Sequence, residues 1–351
     1  MTKHRRNHYD VTNTVRISHP SDVCAAVCSI FKTRYPGTDL TPVRRAFDTF
    51  TDLYTGDLPG YLGNDTWYHD AQHSLDCTLA MARVVDGYDK TAPAKWRLGE
   101  RRAVLGVIAA LFHDAGYIRR SSDPERHGAE FTLIHVRRSG EFLAEFLPRF
   151  GFNDATEMVK QLVHFTGYEI ALDKVQVRDP LDRQLGFLLG SADLLAQLSD
   201  RCYLEKCRDF LFPEFEICGL AGAPHADGPK PIYASPDDLL RKTPDFNRKI
   251  FYDRLDGYFD GAHRHMKDHF GGRNPYLEVI EAHLQRLKQL LKKNRLNALR
   301  LRPEPINGPR LRKLLGRRGK VLHFPTPEKA SGVQHAAHRV TVKEQRRFVP
   351  A

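Results

Sequence analysis

The ten residues Ala103 to Phe112, AVLGVIAALF, contain nine apolar side chains and one glycine, and His113-Asp114 follows immediately. The run is long for a strand and far short of the roughly 20 apolar residues that cross a bilayer, so it reads as a helix enclosed by protein. A helix buried on every side requires a full ring of other elements. Its two terminal polar side chains enter a medium of low dielectric, where they must be paired or hold a cation. Both requirements point to a thick helical bundle with a polar centre.

The remaining chain supports that reading. VRRAFDTFTDLY (43–54), HSLDCTLAMARVVDGY (73–88), RRAVLGVIAALFHDAGY (101–117) and AEFTLIHVRRSGEFLAEFL (129–147) place apolar residues at three- and four-residue steps. Further helices are predicted over 155–165, 182–207 and 274–293, with a loop over 218–236. Ser122-Asp123-Pro124-Glu125 reads as a helix start, and Gly116 and Gly151 as helix ends. Alternating strand patterns and internal repeats are not found. The expected fold is all-α: a flexible arm over residues 1–20, one helical domain over 21–291, and a basic, Pro-containing tail over 292–351 that is poorly ordered.

Composition limits function by exclusion. At 351 residues with 41% hydrophobic content the chain is long enough for a sizeable core, which excludes disorder throughout. The N-terminus lacks the apolar stretch of a signal peptide, no window is long enough for a transmembrane segment, and the expected location is cytoplasmic. Six cysteines without a CxxC pair favour neither a disulfide framework nor a thiolate zinc knuckle. Of the net charge of +11, +10 falls between Lys292 and Lys320, where eleven Lys or Arg face one acid, Glu304. A weak nucleic-acid or anionic-lipid contact through 292–320 is therefore expected of the tail, not of the body. No aromatic residues interleave those arginines, so base stacking is not indicated.

The chemistry is expected in the body. In WYHDAQHSLDCT, His69 and His73 lie about one helical turn apart and share a face. Asp193, in LGFLLGSADLLAQL, is a lone carboxylate among apolar neighbours. One divalent metal held by His73, His113, Asp114 and Asp193 would relieve three separate burial penalties together. Two imidazoles and two carboxylates suit zinc, manganese, iron or magnesium. A cation there would supply an ionised water near neutrality, and His69 would protonate a leaving oxygen. The competing reading of these four residues is a buried ion-pair network without metal. His127 and His164 are candidates for a second metal or for substrate phosphate, against structural roles. Arg119, Arg120, Arg183 and Arg201 lie near these motifs as candidate phosphate clamps, against the favoured reading of solvated surface. Asp76 and Asp200 read as salt-bridge or capping residues, and Tyr68 and Tyr117 as wall. Tyr233, Phe246, Phe251 and Tyr252 either line a pocket or fill a core, and core is the favoured reading.

The order His, then His-Asp, then Asp, on helices, resembles the HD-domain superfamily of metal-dependent phosphohydrolases. YHDAQHSLD is similar to the motif of class I cyclic-nucleotide phosphodiesterases, with LFHDAGY and SADLLAQLSD as counterparts of their later motifs. The resemblance covers residues 46–216. It implies an HD-domain helical bundle, His69 as general acid, His73, His113, Asp114 and Asp193 as ligands, and Asp114 as a bridge to a second metal. Asp70 stands where that family carries asparagine, and no counterpart of its purine-clamping glutamine is placed; Gln197 is a poor candidate.

The expected function is thus hydrolysis of a phosphoester or phosphodiester of a nucleotide by cation-activated water, with Asp114 orienting the nucleophile. The alternative is a catalytically silent nucleotide sensor or binding module whose basic tail docks on nucleic acid or a partner. An oxygenase would need His127 and His164 as further ligands.

Overall fold

The computed structural model describes residues 5–223 and 231–317. Its elements in order are α1 (Pro20–Arg34), α2 (Thr41–Thr55), α3 (Ala71–Thr91), α4 (Gly99–Phe112), α5 (His135–Phe146), α6 (Thr156–Leu162), α7 (Pro180–Ser199), α8 (Tyr203–Lys206), α9 (Phe212–Ile217), α10 (Pro236–Lys249), α11 (Met266–His269), α12 (Pro275–Lys292) and α13 (Gly308–Leu314). Wide π-turns join α8 to α9 and extend α10 to Tyr258. The fold is all-α: among the described residues only isolated bridges occur, such as Tyr9 with Arg16, and no helix is long and apolar enough to cross a membrane.

α3 is the axle of the bundle and packs against α1, α4, α7 and α11. Every residue from Ala71 to Asp89 is buried. Such a helix would normally be apolar all round, yet α3 carries eight polar side chains on that stretch, and nearly all are satisfied by a surrounding element. Ser74 meets the Tyr54 hydroxyl at 2.8 Å, and Arg83 donates to Asp10 at 2.6 Å and to Tyr276 at 2.8 Å. Asp86 is shared by Arg34 and His269, while Asp89 accepts from Leu98 and Gly99 amides. These bonds act as spokes that fix the rotation of α3, and hence the direction in which His73 points. Asp76 is the exception. Both of its oxygens lack a partner and burial pushes its carboxyl up to about 7, so the expected salt bridge or cap is not formed. Asp200 does both: it pairs with Lys206 at 2.8 Å and accepts from the Cys202 amide.

The long apolar run forms α4 as expected, but the helix stops at Phe112. His113 and Asp114 sit at its C-terminal edge, and a 3-10 turn, Ala115–Tyr117, redirects the chain. The predicted 129–147 helix is likewise broken into a 3-10 turn at Gly128–Phe131 and α5. The predicted 182–207 helix breaks at Asp200, whose Asp carboxylate competes for local amides. Ser122-Asp123-Pro124 starts no helix. The Asp123 carboxylate is taken by Arg138 at 2.7 Å and by the Arg120 amide instead. All six cysteines are free.

Both chain ends differ from expectation. Residues 5–19 are not a loose arm: Asp10 and Ile17 are buried, and Asp10 anchors the segment to α3. The tail boundary expected at 292 also moves, because residues 293–317 lie on the body. Leu299, Ile306 and Leu311 are buried, α13 packs on α2, and Arg312 pairs with Asp57 at 2.6 Å. The charge count missed these apolar teeth between the arginines. Residues 318–351, the rest of the expected tail, lie outside the described residues.

Candidate functional site

Four buried side chains predicted from separate motifs meet at one point. His73 projects from the first turn of α3, His113 and Asp114 from the end of α4, and Asp193 from the middle of α7. The two imidazole Nε2 atoms are 3.2 Å apart. Asp114 Oδ2 lies 3.3 Å from His73 Nε2 and 3.2 Å from His113 Nε2, and Asp193 Oδ1 lies 3.2 and 3.5 Å from the same atoms. The two imidazoles are hydrogen-bonded to each other through Nε2, whereas Asp114 Oδ2 is buried with no hydrogen-bond partner.

Local structure fixes each donor. Asp70 caps α3 by accepting from the His73 amide at 3.0 Å, and its other oxygen accepts from the Ile306 amide at 2.7 Å. Two amides require an acceptor on both branches of the side chain, which aspartate offers and asparagine lacks. His113 Nδ1 lies 2.8 Å from the Ala110 carbonyl, which can only accept. Nδ1 therefore carries the hydrogen and Nε2 is turned toward the cluster.

His73, His113 and Asp114 are placed to hold a metal ion, as are Cys77, His113 and Asp193. The residues fit such an ion on the chemistry of the donors: two imidazole nitrogens and two carboxylate oxygens converge at short range, and Asp114 Oδ2 is left buried without a hydrogen-bond partner. Burial keeps the Cys77 thiol well above its ordinary range, so it is a poor donor beside the imidazoles and carboxylates. Burial opposes the charged forms in the cluster, but the carboxylates outweigh it at the histidines. His73 is held up at about 9 and His113 well above its usual value, while Asp114 and Asp193 are pulled down by the facing imidazoles.

His69 stands beside the cluster at the rim of a cavity of about 130 Å³. Its Nδ1 is 2.6 Å from Glu214 Oε2. Glu214 is fully buried, and its other oxygen accepts from the Trp67 and Tyr68 amides at 2.6 and 2.7 Å. The imidazole is thereby fixed with Nε2 facing inward, 3.5 Å from the Tyr117 hydroxyl. Tyr117 is wall, as expected, sandwiched between the rings of His69 and His135 at 4.3 Å from each.

Sequence reasoning missed Glu214 and His135. Glu214 sits between Phe212 and Phe215, the same acid-among-apolar signal that singled out Asp193, but over a stretch too short to stand out. His135 opens α5, gives its Nδ1 hydrogen to the Thr132 carbonyl, and directs Nε2 to within 3.7 Å of Asp114 Oδ1. It lines the cavity, whereas His127 and His164 do not. His127 instead caps the turn at Gly128 in a reciprocal arrangement with Glu130 and packs at a tilt against the Trp67 ring. His164 lies in the 3-10 turn after α6 with its Nδ1 buried and unpartnered.

The cavity continues past Tyr68, Gln197 and Tyr203 to Phe215, Tyr233 and Phe246. Tyr233 and Phe246 line the cavity and also belong to the core packing, Phe251 packs on the core, and Tyr252 is exposed. Arg119 pairs with Asp65, Arg120 reaches Glu141, Arg183 donates to the Val177 carbonyl, and Arg201 donates to that of Arg5. No Lys or Arg lines the cavity among the described residues. No family model matches this chain, and no curated protein matches it.

Proposed function

We propose that the protein is a metal-dependent phosphohydrolase acting on a phosphodiester or phosphomonoester, with His73, His113, Asp114 and Asp193 as ligands. The observation that carries this reading is the convergence of those four donors beside a histidine whose orientation is fixed by a buried carboxylate. The likeness to HD-domain phosphohydrolases supports it from sequence. When bound, a divalent cation such as manganese, magnesium, iron or zinc would neutralise phosphate charge and lower the pKa of a coordinated water. Asp114 offers its second oxygen to orient the attacking water. His69, held through Nδ1 by Glu214, presents Nε2 to the cavity and donates a proton to the leaving alkoxide. The aromatic walls exclude water and suit a planar group such as a nucleobase. A silent sensor would have no use for the His69–Glu214 pair.

Charge narrows the substrate. Two carboxylates and one divalent cation cancel, and no described lining side chain is a Lys or Arg. A single ionised phosphate is accommodated, whereas a triphosphate or alarmone would lack counter-charges. The test is metal content together with hydrolysis. Wild type should carry about one or more equivalents of metal and hydrolyse cyclic nucleotides or bis(p-nitrophenyl) phosphate with manganese, magnesium or iron. Asp114→Ala should lose both, and Glu214→Gln should retain metal while kcat falls by about 10–100-fold. Reconstituted protein without metal or activity would refute the reading, and exclusive hydrolysis of triphosphates would refute the charge argument.

A further inference from the structure

The basic run after α12 divides in two on the structure. In its second half the charges are matched: Arg310 pairs with Glu304, Arg312 with Asp57, and Arg317 with Asp52 and Asp57. In its first half they are not. Lys292, Lys293, Arg295, Arg300 and Arg302 are exposed, as is Lys288 one turn before Lys292 on α12, and none of the six forms an ion pair among the described residues. No acid occurs between Glu281 and Glu304. Asp209, which Arg208 carries toward this region by donating to the Leu299 carbonyl, is held by that same guanidinium in two bonds. The backbone beneath the charges is fixed. Asn294 ends α12 in the left-handed region at φ 50°, the Arg295 amide closes the turn on the Leu290 carbonyl at 2.9 Å, and the Asn294 side chain accepts from Arg241 at 3.3 Å. A 3-10 turn follows at Leu296–Ala298, with Leu296 and Leu299 buried. The apolar side chains thus anchor the segment while the cations stand in solvent.

We infer that this surface, residues 288–302, docks on the phosphate backbone of a nucleic-acid duplex, independently of the hydrolysis proposed above. Like charges carried on one rigid segment without acids repel one another, and a linear polyanion relieves that repulsion while releasing its own counterions. None of the six cations lines the site cavity, and they are spread along an exposed surface, which suits an extended polyanion and not a small one. A single strand is held by stacking its bases on aromatic rings, and residues 288–317 contain no Phe, Tyr or Trp. A membrane surface is held by cations together with inserted apolar side chains, whereas Leu296 and Leu299, which lie between these cations, are buried in the body. What remains is contact with duplex phosphates, which carries no base sequence preference.

The surface is tested by fluorescence anisotropy of a labelled DNA duplex of about 20 base pairs, titrated with the full-length protein between about 50 and 200 mM salt. Wild-type affinity should fall with salt along a log–log slope of about −3 to −5, at roughly −0.9 for each phosphate neutralised. The triple variant Lys293→Gln, Arg295→Gln, Arg300→Gln should flatten that slope by about 1 per substitution and weaken binding at about 100 mM salt by about tenfold or more. A charge-matched control, Lys32→Gln, Arg45→Gln, Lys95→Gln, removes exposed cations from other elements and should stay within about twofold of wild type. Circular dichroism melts identify folded variants, and the pair Arg300→Gln, Arg302→Gln keeps the test open if the triple variant is not folded. Absence of binding at about 50 mM salt, a wild-type slope in the triple variant, or an equal loss in the control would each overturn the assignment. So would a single strand of the same length that binds more tightly than the duplex, or phosphatidylserine vesicles that displace the duplex at a lower concentration of anionic groups.

Discussion

Asp10 shows how one residue ties a terminal segment to the axle. Its carboxylate is buried and accepts from the Thr14 and Val15 amides, the Thr12 hydroxyl and Arg83. Burial alone would raise its pKa, but Arg83 and the hydrogen bonds outweigh this and hold it at about 2 against an ordinary value of 3.8. The folded form is thus the stronger acid. Its stabilisation, of order 2 kcal/mol, is complete above the unfolded value and is lost as pH falls toward 2. Asp10→Asn should lower stability at neutral pH by about 3 kcal/mol, leaving Arg83 buried without its charge partner. Urea midpoints of the two proteins should converge as pH falls toward 3; a gap independent of pH would contradict this account. At the same scale, the sequence exposed His113, Asp114 and Asp193 because each is polar within or beside an apolar run, and His73 through its spacing from His69. His135 stayed hidden because its neighbours are amphipathic and its meaning arises only where α5 approaches Asp114. His127 misled for the converse reason, since its cap is satisfied within four residues.

Among elements, close approach of helices is what brings the cluster together, and two glycines permit it. A Cβ on Gly116 would come within 1.9 Å of the His135 carbonyl oxygen, and one on Gly190 within 2.5 Å of the Phe259 ring and 2.7 Å of the Phe165 carbonyl. Gly116 therefore sets how near α5, and with it His135, comes to the end of α4. Gly116→Ala should cost about 3 kcal/mol or more by displacing backbone. Gly140→Ala, inside α5 with its nearest neighbour at 3.5 Å, should be neutral or stabilising by about 0.5–1 kcal/mol. Opposite signs in thermal melts of these two variants are the expected outcome, and equal losses would remove the packing argument. Helix existence was legible from periodicity, for α2, α3, α4, α7 and α12 alike. Helix ends at Phe112 and Ser199 were not: the first is followed by His113-Asp114, whose partners are distant in sequence, and the second by Asp200, whose carboxylate takes the Cys202 amide with no Gly or Pro to mark the break.

For the whole molecule, the segment after α12 acts as a strap. The Ile306 amide and carbonyl bond to Asp70 and to the Ala71 amide, Gly308 bonds to Asn64, and Arg312 and Arg317 pair with Asp52 and Asp57. Arginines counted as a nucleic-acid footprint are thus partly spent on α2. Ile306→Ala and Leu311→Ala should each lower stability by about 2–4 kcal/mol in denaturant unfolding, whereas substitutions in a solvated tail would be silent. The strap also sets an order of events during synthesis. The partner for the second oxygen of Asp70 is encoded 236 residues downstream. A nascent polypeptide therefore closes the cap of the histidine-bearing turn only once residue 306 has emerged, and a product released upstream of codon 306 lacks the amide that meets the second oxygen of Asp70.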